Sequence, residues 1–559
     1  MTMTMRSTSL FFFFFLSLLS LSSASKHDQS TSNTNAAPTP PSSIQQLCKA
    51  ATRFPDLCVS SLSNSKQLPP NPTPLQLIYS SLSVTFETAR TVQSKVNDIR
   101  NSAAGDQNLT RAADNCLEGL KSSLYRISIT TNDFLPHDNL KSARAWMSDS
   151  LLHHTGCALG LTKVNYTKLV TETLSLVGSL TNITSNALSL LFSYDHFGNN
   201  TASWIPPRTE RDGFWGAMKK SRIGIAGFKG GVPTNLEVDV TVSKDGRNRS
   251  YKMVQDAVNA APNNTADGKR FVIRIKAGIY EEIVIVPFEK KNVVFLGDGI
   301  GKTVITGSLY SGLRPKITTS NSVTVAVLGD GFMASGITFQ NTAGVDKDNQ
   351  SHQAVAFKLG SDLSVIENCE FLGNQDTLFT QSLRQFYKSC RIVGNVDFVF
   401  GNAAAFFQDC QIIVKRRQAP IEKDKQNYMT AHGRTDPAQT TGYVFYNCLI
   451  NGTEEYMKLY HGPSKPQNHS NYLGRPWKEY ARTVYIQSSL QDLVSPQGWV
   501  PWNSGDFALK TLYFGEFQNS GPGFTPPRRI NWSNQIPAEQ IQTYSVENFI
   551  QGDLWIPSS

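Results

Sequence analysis

Two aspartates and two glutamines recur in this chain at nearly the same interval. Asp376 and Asp397 are 21 residues apart, and Gln353 and Gln375 are 22 apart. If that interval is one turn of a repeating fold, each pair occupies adjacent strands, which lie roughly 4.7–4.9 Å apart. Neighbouring carboxylates cannot both ionise cheaply, so one can serve as an acid and the other as a nucleophile or base.

Aspartate and asparagine also line the turns of repeat proteins, so the two carboxylates alone leave a purely structural role open. The two amides in the same register favour a reactive site, because amide N–H groups can stabilise a developing oxyanion. The stretch from His352 to Cys410 is therefore the candidate catalytic region.

The elements that must position these side chains follow from the same period. The segments NCEFLGNQDT, SCRIVGNVDF and DCQIIV align and place Cys369, Cys390 and Cys410 at intervals of 21 and 20 residues. Short β-branched runs between Gly and Asn turns at this period are typical of a solenoid, in which each coil buries its apolar face on the next. The sequence therefore predicts a parallel β-helix.

The cysteines of the repeat lead to two predictions. Cys390 and Cys410 lie one coil apart, which is within the usual Cα distance for a disulfide, so we expect a bond between them. Cys369 and Cys448 are expected to be free thiols in the interior ladder, since cysteine is among the most buried residue types.

Three segments then carry a resemblance to a known family. GNQDTL (373–378), GNVDFVFGNAAAFFQDC (394–410) and YLGRPWKEYARTV (472–484) resemble the signature segments of plant pectin methylesterases, and the likeness runs from about Val232 to the C-terminus. The resemblance implies a right-handed parallel β-helix, at 233–559, that removes methyl groups from the galacturonic esters of pectin. Phe379 and His432 depart from the family, which commonly has Tyr and Gln at these positions.

The resemblance also implies how the ester is hydrolysed. No Gly-x-Ser-x-Gly segment is present, and neither the sequence nor the resemblance indicates a metal or cofactor. Asp397 would attack the ester carbonyl while Gln353 and Gln375 donate N–H groups to the oxyanion. Asp376 would protonate the departing methanol and then activate the hydrolytic water.

Three further residues are expected to bind substrate or support the acids. Arg475 would keep Asp397 ionised, because a guanidinium at hydrogen-bond distance lowers the pKa of a carboxylate. Trp477 offers a flat apolar face to a sugar ring, although GRPW could equally be a turn in which the arginine stacks on the tryptophan. By the same resemblance Thr319 would contact the substrate.

The N-terminus reads as a secretory signal at 1–25, followed by a flexible leader at 26–43. Arg6 precedes an apolar run from Leu10 to Leu21, which is shorter than the roughly 20 residues needed to cross a bilayer. An uncleaved anchor is the alternative, and no other stretch is expected to span a membrane. Secretion to the cell wall would permit disulfides and glycans.

Residues 44–195 are predicted to form a bundle of four helices at about 75–100, 111–132, 139–161 and 166–193, from apolar residues at three- and four-residue steps. Of three connectivities for its cysteines, spacing favours Cys48–Cys58 and Cys116–Cys157. CKATRFPDLC and the segment ARAWMSDSLLHHTGC resemble the pectin methylesterase inhibitor family. That resemblance implies an internal inhibitor or folding pro-region, the alternative being a bundle that only solubilises or targets the chain.

A linker at 196–232 is rich in Pro, Gly and charge, as expected of an exposed boundary. Two-domain relatives often carry two basic residues and two leucines there, as the cleavage site of a subtilisin-like processing protease. This chain lacks that motif. The segment from Lys219 to Arg222 is the nearest substitute, and Arg208 to Arg211 is a weaker one.

The formal net charge of +9 suits a polyanionic partner such as polygalacturonate. The alternative is that the basic charge only aids solubility. Nucleic acid is a poor candidate for a secreted chain without a recognition motif, and we expect no nucleic-acid partner. The family resemblance implies that methyl-esterified pectin and water are the substrates. Two other classes remain open. One is a pectate lyase or glycoside hydrolase, and the other is a wall-binding or inhibitory protein without catalysis, if the linker is never cut.

Overall fold

The computed structural model of the chain describes residues 43–63, 68–69, 71–216, 218, 227–266, 268–313, 317–343, 352–417, 426–463 and 470–558. The predicted signal segment, the leader up to residue 42 and the basic segment from Lys219 to Arg222 lie outside these ranges. Within them, no helix combines the length and the apolar character that crossing a bilayer requires.

The N-terminal helices are α1 Ser43–Ala51, α2 Pro55–Ser63, α3 Pro74–Ser102, α4 Gln107–Ile129, α5 Leu140–Thr162 and α6 Lys168–Phe197. The long helices α3 to α6 follow the four predicted segments closely and pack as a bundle, which confirms the predicted fold. Each begins at a polar residue whose side chain accepts a hydrogen bond from a backbone N–H of the first turn, and these caps are Thr73, Asp106, Asn139 and Thr167. Such caps satisfy N–H groups that have no partner inside the helix.

Both predicted disulfides of the bundle are present. Cys48–Cys58 joins α1 to α2, and Cys116–Cys157 joins α4 to α5. The longer loop spans 41 residues, so chain entropy alone gives a stabilisation of about 4 kcal/mol. The second bond therefore holds together the two helices that later prove to face the candidate site.

The C-terminal part is built of short strands with three small helices, α7 Val254–Ala260, α8 Glu454–His461 and α9 Val546–Phe549. In chain order the strands are β1 Val240–Val242, β2 Phe271–Ile275, β3 Gly278–Glu281, β4 Val284–Val286, β5 Val293–Leu296, β6 Thr303–Gly307, β7 Val325–Val327, β8 Met333–Ser335, β9 Thr338–Asn341, β10 Phe357–Leu359, β11 Ser364–Glu367, β12 Glu370–Leu372, β13 Leu378–Thr380, β14 Arg384–Lys388, β15 Arg391–Gly394, β16 Val396–Gly401, β17 Ala404–Gln408, β18 Gln411–Val414, β19 Asn427–His432, β20 Gly442–Tyr446, β21 Leu449–Gly452, β22 Asn471–Pro476, β23 Arg482–Ile486, β24 Ser489–Leu490, β25 Tyr513–Phe517 and β26 Asn534–Gln535.

In the described residues these strands form three sheets, and neighbouring strands in each sheet run parallel. The strand orders are β1-β2-β5-β8-β11-β14-β17-β20-β23-β25-β26, β3-β6-β9-β12-β15-β18-β21-β24 and β4-β7-β10-β13-β16-β19-β22. Because consecutive strands join different sheets in turn, the chain winds as a parallel β-helix, as the 20-residue period predicted. Helix α7 follows β1 and buries Val254, Ala257 and Val258 in the interior core, so it caps the first coil.

Five successive coils bend between the first and second sheets at a non-glycine residue with a positive φ. These residues are Asn368, Ser389, Asp409, Asn447 and Gln487, with φ between 49° and 55°. The residue that follows each of the first four bends is a buried cysteine, so Cys369, Cys390, Cys410 and Cys448 form one ladder inside the β-helix.

The predicted bond between Cys390 and Cys410 is wrong, because both thiols are free. The Cys390 backbone N–H donates instead to the Cys410 sulfur, 3.4 Å away. Side chains at matching positions of parallel strands point the same way, so their Cβ atoms keep the strand spacing of about 4.8 Å, longer than a disulfide favours. Cys369 and Cys448 are free and buried as predicted.

Aromatic rings fix the register of the coils from within. Tyr387, Phe407, Phe445 and Tyr485 stack with ring centroids 4.6–4.7 Å apart and interplanar angles of 14° or less. That separation equals the strand spacing, so one ring per coil continues the stack. A rigid interior in turn fixes which side chains become neighbours on the outer surface.

Candidate active site

The register of the third sheet brings the two aspartates together. Leu378 of β13 pairs with Val399 of β16, so Asp376 and Asp397, each two residues earlier, lie on adjacent coils. The Asp376 N–H donates to the Val396 carbonyl at 3.0 Å. Gln375, next to Asp376, forms a parallel bridge with Gln353 of the preceding coil. Both intervals found in the sequence therefore correspond to a single coil.

The backbone is distorted at the two acids. Asp376 has a φ of 62° and Asp397 a φ of 48°, in the left-handed region that costs a non-glycine residue roughly 1–2 kcal/mol. The pairing of β16 with β19 also shifts by one residue between Val396 and Val399. A bulge re-aims the side chain next to it, and strain of this kind is found at functional sites.

Arg475 holds Asp397 through both carboxylate oxygens. Its Nε donates to Oδ1 at 2.8 Å and its Nη2 donates to Oδ2 at 2.5 Å. The guanidinium lies 3.9 Å from the ring centroid of Tyr428 and 4.3 Å from that of Trp502. A fork held by two rings and two hydrogen bonds is fixed in orientation as well as in charge.

Burial and charge separate the two acids. Burial, together with the neighbouring Asp397, raises the pKa of Asp376 well above its ordinary value. Burial also raises the pKa of Asp397, but the hydrogen bonds and charge of Arg475 oppose that rise. We expected one pKa of the pair to stay low. The structure supports only a difference between them, with Asp376 the more easily protonated acid.

A cavity of about 860 Å³ opens in front of this pair. Its walls include every predicted site residue, namely Thr319, Gln353, Gln375, Asp376, Asp397, Arg475 and Trp477. Phe379 and Phe400 stack at 4.4 Å on the floor, and Trp477 meets Phe400 edge-on at 6.1 Å. Gly433 lies under Trp477, where an added Cβ would come within 2.8 Å of the indole, so only glycine allows this packing.

Comparisons with known proteins show the family of the chain. The profile of the family Pectinesterase matches residues 239–553, and that of Plant invertase/pectin methylesterase inhibitor matches residues 42–190. The chain belongs to the pectinesterase family.

Three relatives support the assignment. The chain is 53% identical over 518 residues to "Probable pectinesterase/pectinesterase inhibitor 64" of Arabidopsis thaliana, covering 92% of this chain and 84% of the relative. It is 38% identical to "Pectinesterase 2" of Citrus sinensis, covering 86% of each. The solved structure "Pectin methylesterase from Carrot" is similar with a TM-score of 0.53 and 44% identity, covering 58% of this chain and 97% of that one.

The pectinesterase domain contains cavity residues that the sequence analysis missed. Phe400 pairs with Phe379 in the same register as the aspartates, so the 21-residue interval of the two rings was an available signal. Lys358 lies opposite Phe379 on the preceding coil, and its ammonium donates to the Ser320 hydroxyl at 2.9 Å. Trp502 comes from a loop outside the repeat, so the period gave no signal for it.

His432, one of the two departures from the family pattern, lies outside the cavity. The Arg482 N–H donates to its Nδ1 at 3.1 Å, and its Nε2 faces the Ala403 carbonyl at 3.4 Å. Burial and the charge of Arg482 lower the pKa of His432 well below its ordinary value, so the ring is neutral. Its role in the pectinesterase domain is therefore packing.

The bundle forms the opposite wall of the cavity. Residues of α4 and α5, including Glu118, His153 and Leu159, line it together with the two aspartates of the β-helix. The bundle thus covers the site of the pectinesterase domain in the intact chain.

Three aspartates of the pectinesterase domain receive hydrogen bonds from the bundle. Arg126 donates to both oxygens of Asp330 at 2.6 and 2.8 Å, and the Trp146 indole N–H donates to Asp362 at 2.7 Å. Asp436 accepts from Arg53 and from Ser185, each at 2.6 Å. Because these donors come from α1, α4, α5 and α6 or their connections, the bundle is attached across its breadth.

Proposed function

We propose that this pectinesterase hydrolyses the methyl esters of galacturonan through a covalent intermediate on Asp397. A carboxylate oxygen of Asp397 attacks the ester carbonyl, and the carbonyl oxygen becomes an oxyanion. When the bond to the methoxy group breaks, Asp376 transfers its proton to that oxygen and methanol leaves. Asp376, now ionised, accepts a proton from water as the water attacks the acyl group, which frees Asp397.

The arrangement of the two acids is the observation that carries this proposal. Asp397 is fixed by the Arg475 fork, which favours its ionised form, while burial favours a protonated Asp376 one coil away. A nucleophile needs the ionised form and a proton donor the neutral form, so this difference in environment supports Asp397 as the nucleophile and Asp376 as the proton donor.

Two amides are available for the oxyanion. Among the residues that the structure describes, neither the Gln353 nor the Gln375 side chain makes a hydrogen bond, and both line the cavity. Preorganised donors of this kind stabilise a transition state without a reorganisation cost. The rings of Phe379, Phe400 and Trp477 offer apolar faces to the sugars, and Thr319 contributes a hydroxyl on the same wall.

Methanol release from highly methylated pectin, measured with EDTA present, tests the mechanism. Asp397→Ala should abolish release, and thermal unfolding is measured to show that the variant is folded at the assay temperature. Asp409→Ala is the matched control, because Asp409 also has a positive φ at a coil bend but bonds Asn447 outside the cavity. Near-normal turnover by Asp397→Ala, or equal losses in both variants, would refute the assignment.

The bundle is proposed to inhibit the pectinesterase domain by covering its cleft. The interior core of the β-helix contains no residue of the bundle, so a fragment beginning at residue 227 should fold without it. That fragment should release methanol faster than the intact chain. Equal rates would leave the esterase and remove the inhibitory role.

We also propose that the chain is secreted to the cell wall and that a subtilisin-like protease cuts its linker. Of the two basic segments, Arg208 to Arg211 is the poorer site, because Thr209 is buried and residues Glu210–Asp212 form a helical turn. A protease needs an extended, accessible strand, which this turn does not offer, so we keep the segment from Lys219 to Arg222, which the sequence favoured, as the proposed cut. Mass spectrometry of the secreted chain, with the N-terminus of each fragment sequenced, tests both points.

A further inference from the structure

The linker does not simply run exposed between the two domains, contrary to what its composition predicted. Trp204 is 3% exposed and packs in the core of the bundle, and Phe214 lies 5.4 Å from the ring of Phe192 on α6. Trp215, the next residue, meets the ring of Tyr513 on the pectinesterase domain at 5.7 Å. We call residues 204–216 the strap, because they contact both domains.

The centre of the strap places a carboxylate between two buried arginines. Arg482 Nη1 donates to Glu210 Oε1 at 2.5 Å, and Arg434 Nη1 lies 3.9 Å from Glu210 Oε2. The side chain of Glu210 is only 8% exposed. Thr209 and Asp212 fix the turn around it, since the Thr209 N–H donates to the Asp212 carboxylate at 2.9 Å.

Among the described residues, Glu210 is the carboxylate that forms an ion pair with each of the two arginines, and Asp436 attracts Arg434 from further away. Arg482 donates to the carbonyls of Thr440 and Thr441, and Arg434 donates to those of Asp436 and Pro437. Carbonyl oxygens satisfy N–H groups but carry no net charge, so without Glu210 the charge of Arg482 has no ion-pair partner among the described residues and that of Arg434 is offset only by the more distant Asp436.

Burial and the adjacent Arg482 lower the pKa of Arg434 to about 9. Burial raises the pKa of Glu210, but the two arginines outweigh it and hold that pKa below its ordinary value. Two adjacent buried guanidinium forks thus form a site that favours a carboxylate.

We propose that Arg434 and Arg482 are a carboxylate-binding site of the pectinesterase domain, that Glu210 occupies it, and that the strap thereby keeps the bundle on the cleft after the chain is cut downstream. Glu210 precedes the segment from Lys219 to Arg222, so after such a cut it stays with the bundle. The ion pairs of Glu210 with Arg434 and Arg482 then connect the bundle fragment to the pectinesterase fragment. Cutting the linker alone therefore leaves the cleft covered.

The inference extends the inhibitory role proposed above, but its test measures association rather than catalysis. Residues 219–225 are replaced by the recognition sequence of a site-specific protease in the otherwise intact chain. After complete cutting, gel filtration at decreasing concentrations gives the dissociation constant of the two fragments. The parent fragments should elute together.

Glu210→Gln should raise that dissociation constant roughly 30-fold or more, as expected for loss of one partner of a buried charge pair. Glu172→Gln, on the exposed face of α6, should leave it unchanged. Arg482→Gln should weaken association as well, and combining it with Glu210→Gln should add little. Uncut chains of all variants are compared first by thermal unfolding.

Three results would overturn the proposal. The parent fragments could separate as soon as the chain is cut, or the Glu210→Gln fragments could bind as tightly as the parent. Strictly additive losses from Glu210→Gln and Arg482→Gln would show that the two side chains act independently. If no chain released methanol, the proposed function would be refuted. The role of the strap would still be decided by the dissociation constants.

Discussion

Replacing Arg475 with lysine keeps a positive charge beside Asp397 but removes the planar fork. The native guanidinium donates to both carboxylate oxygens and lies between the rings of Tyr428 and Trp502. A lysine ammonium can donate to one oxygen and cannot stack as a plane. The substitution therefore removes about one charge-assisted hydrogen bond from the ionised form of Asp397.

The size of the effect follows from that bond. A hydrogen bond to a charged group contributes about 1.5–3 kcal/mol, and 1.36 kcal/mol corresponds to one pKa unit. The pKa of Asp397, already raised by burial, should therefore rise by a further 1–2 units or so. Asp397 must be ionised to attack, so activity is lost as the pH falls through its pKa, and a higher pKa moves that loss to higher pH.

The assay is the pH profile of kcat/KM for methanol release by the fragment beginning at residue 227. Arg475→Lys should move the acidic limb up by about 1–2 pH units and lower activity roughly 10- to 100-fold on that limb. The basic limb reports Asp376, which must be protonated, and should stay in place because the charge of residue 475 is retained. Activity should partly recover as the pH rises.

A matched control separates this effect from a general loss of arginine. Arg274 also pairs with an aspartate, Asp298, at 2.5 Å, but outside the cavity, so Arg274→Lys should leave the profile unchanged. If Arg475→Lys lowers activity equally at every pH, the fork positions Asp397 without tuning its ionisation. An unchanged profile would make Arg475 structural.

Three further predictions address the cavity, the bundle and the thiols. Phe400→Ala removes a ring stacked on the cavity floor and should raise KM about two- to tenfold, with a smaller change in kcat; a loss confined to kcat would contradict a binding role. Trp146→Phe removes the indole N–H that donates to Asp362, which should weaken docking of the bundle by roughly 1–3 kcal/mol. Methanol release by the intact chain should therefore rise about 5-fold or more. The fragment that lacks the bundle, and so lacks residue 146, gives the uninhibited reference rate. Thiol titration of the unfolded, unreduced chain should find four thiols, and a count of two would restore the bond between Cys390 and Cys410.

The sequence by itself determined the features that depend on neighbours along one element. The 21-residue interval identified the coil and therefore the neighbouring positions of Asp376 and Asp397, because in a solenoid one period along the chain is one strand spacing in space. Apolar spacing likewise predicted the long helices of the bundle. Both cases work because a local repeat dictates which residues share a face.

The same period led to a wrong prediction where a bond depends on the direction of side chains as well as on their distance. It placed Cys390 beside Cys410, but it carried no information on the parallel orientation of their Cβ atoms, which keeps the two sulfurs apart as thiols. Residues from outside the repeat, such as Trp502 against Arg475, had no periodic signal either.

Only the tertiary structure decided how the two domains meet. The composition of the linker predicted an exposed boundary, yet Glu210 is buried between Arg434 and Arg482. Trp146 reaches Asp362 across 216 positions of the chain, a pairing that no local pattern encodes. Docking depends on the shape and charge of two finished surfaces, and these exist only after each domain has folded.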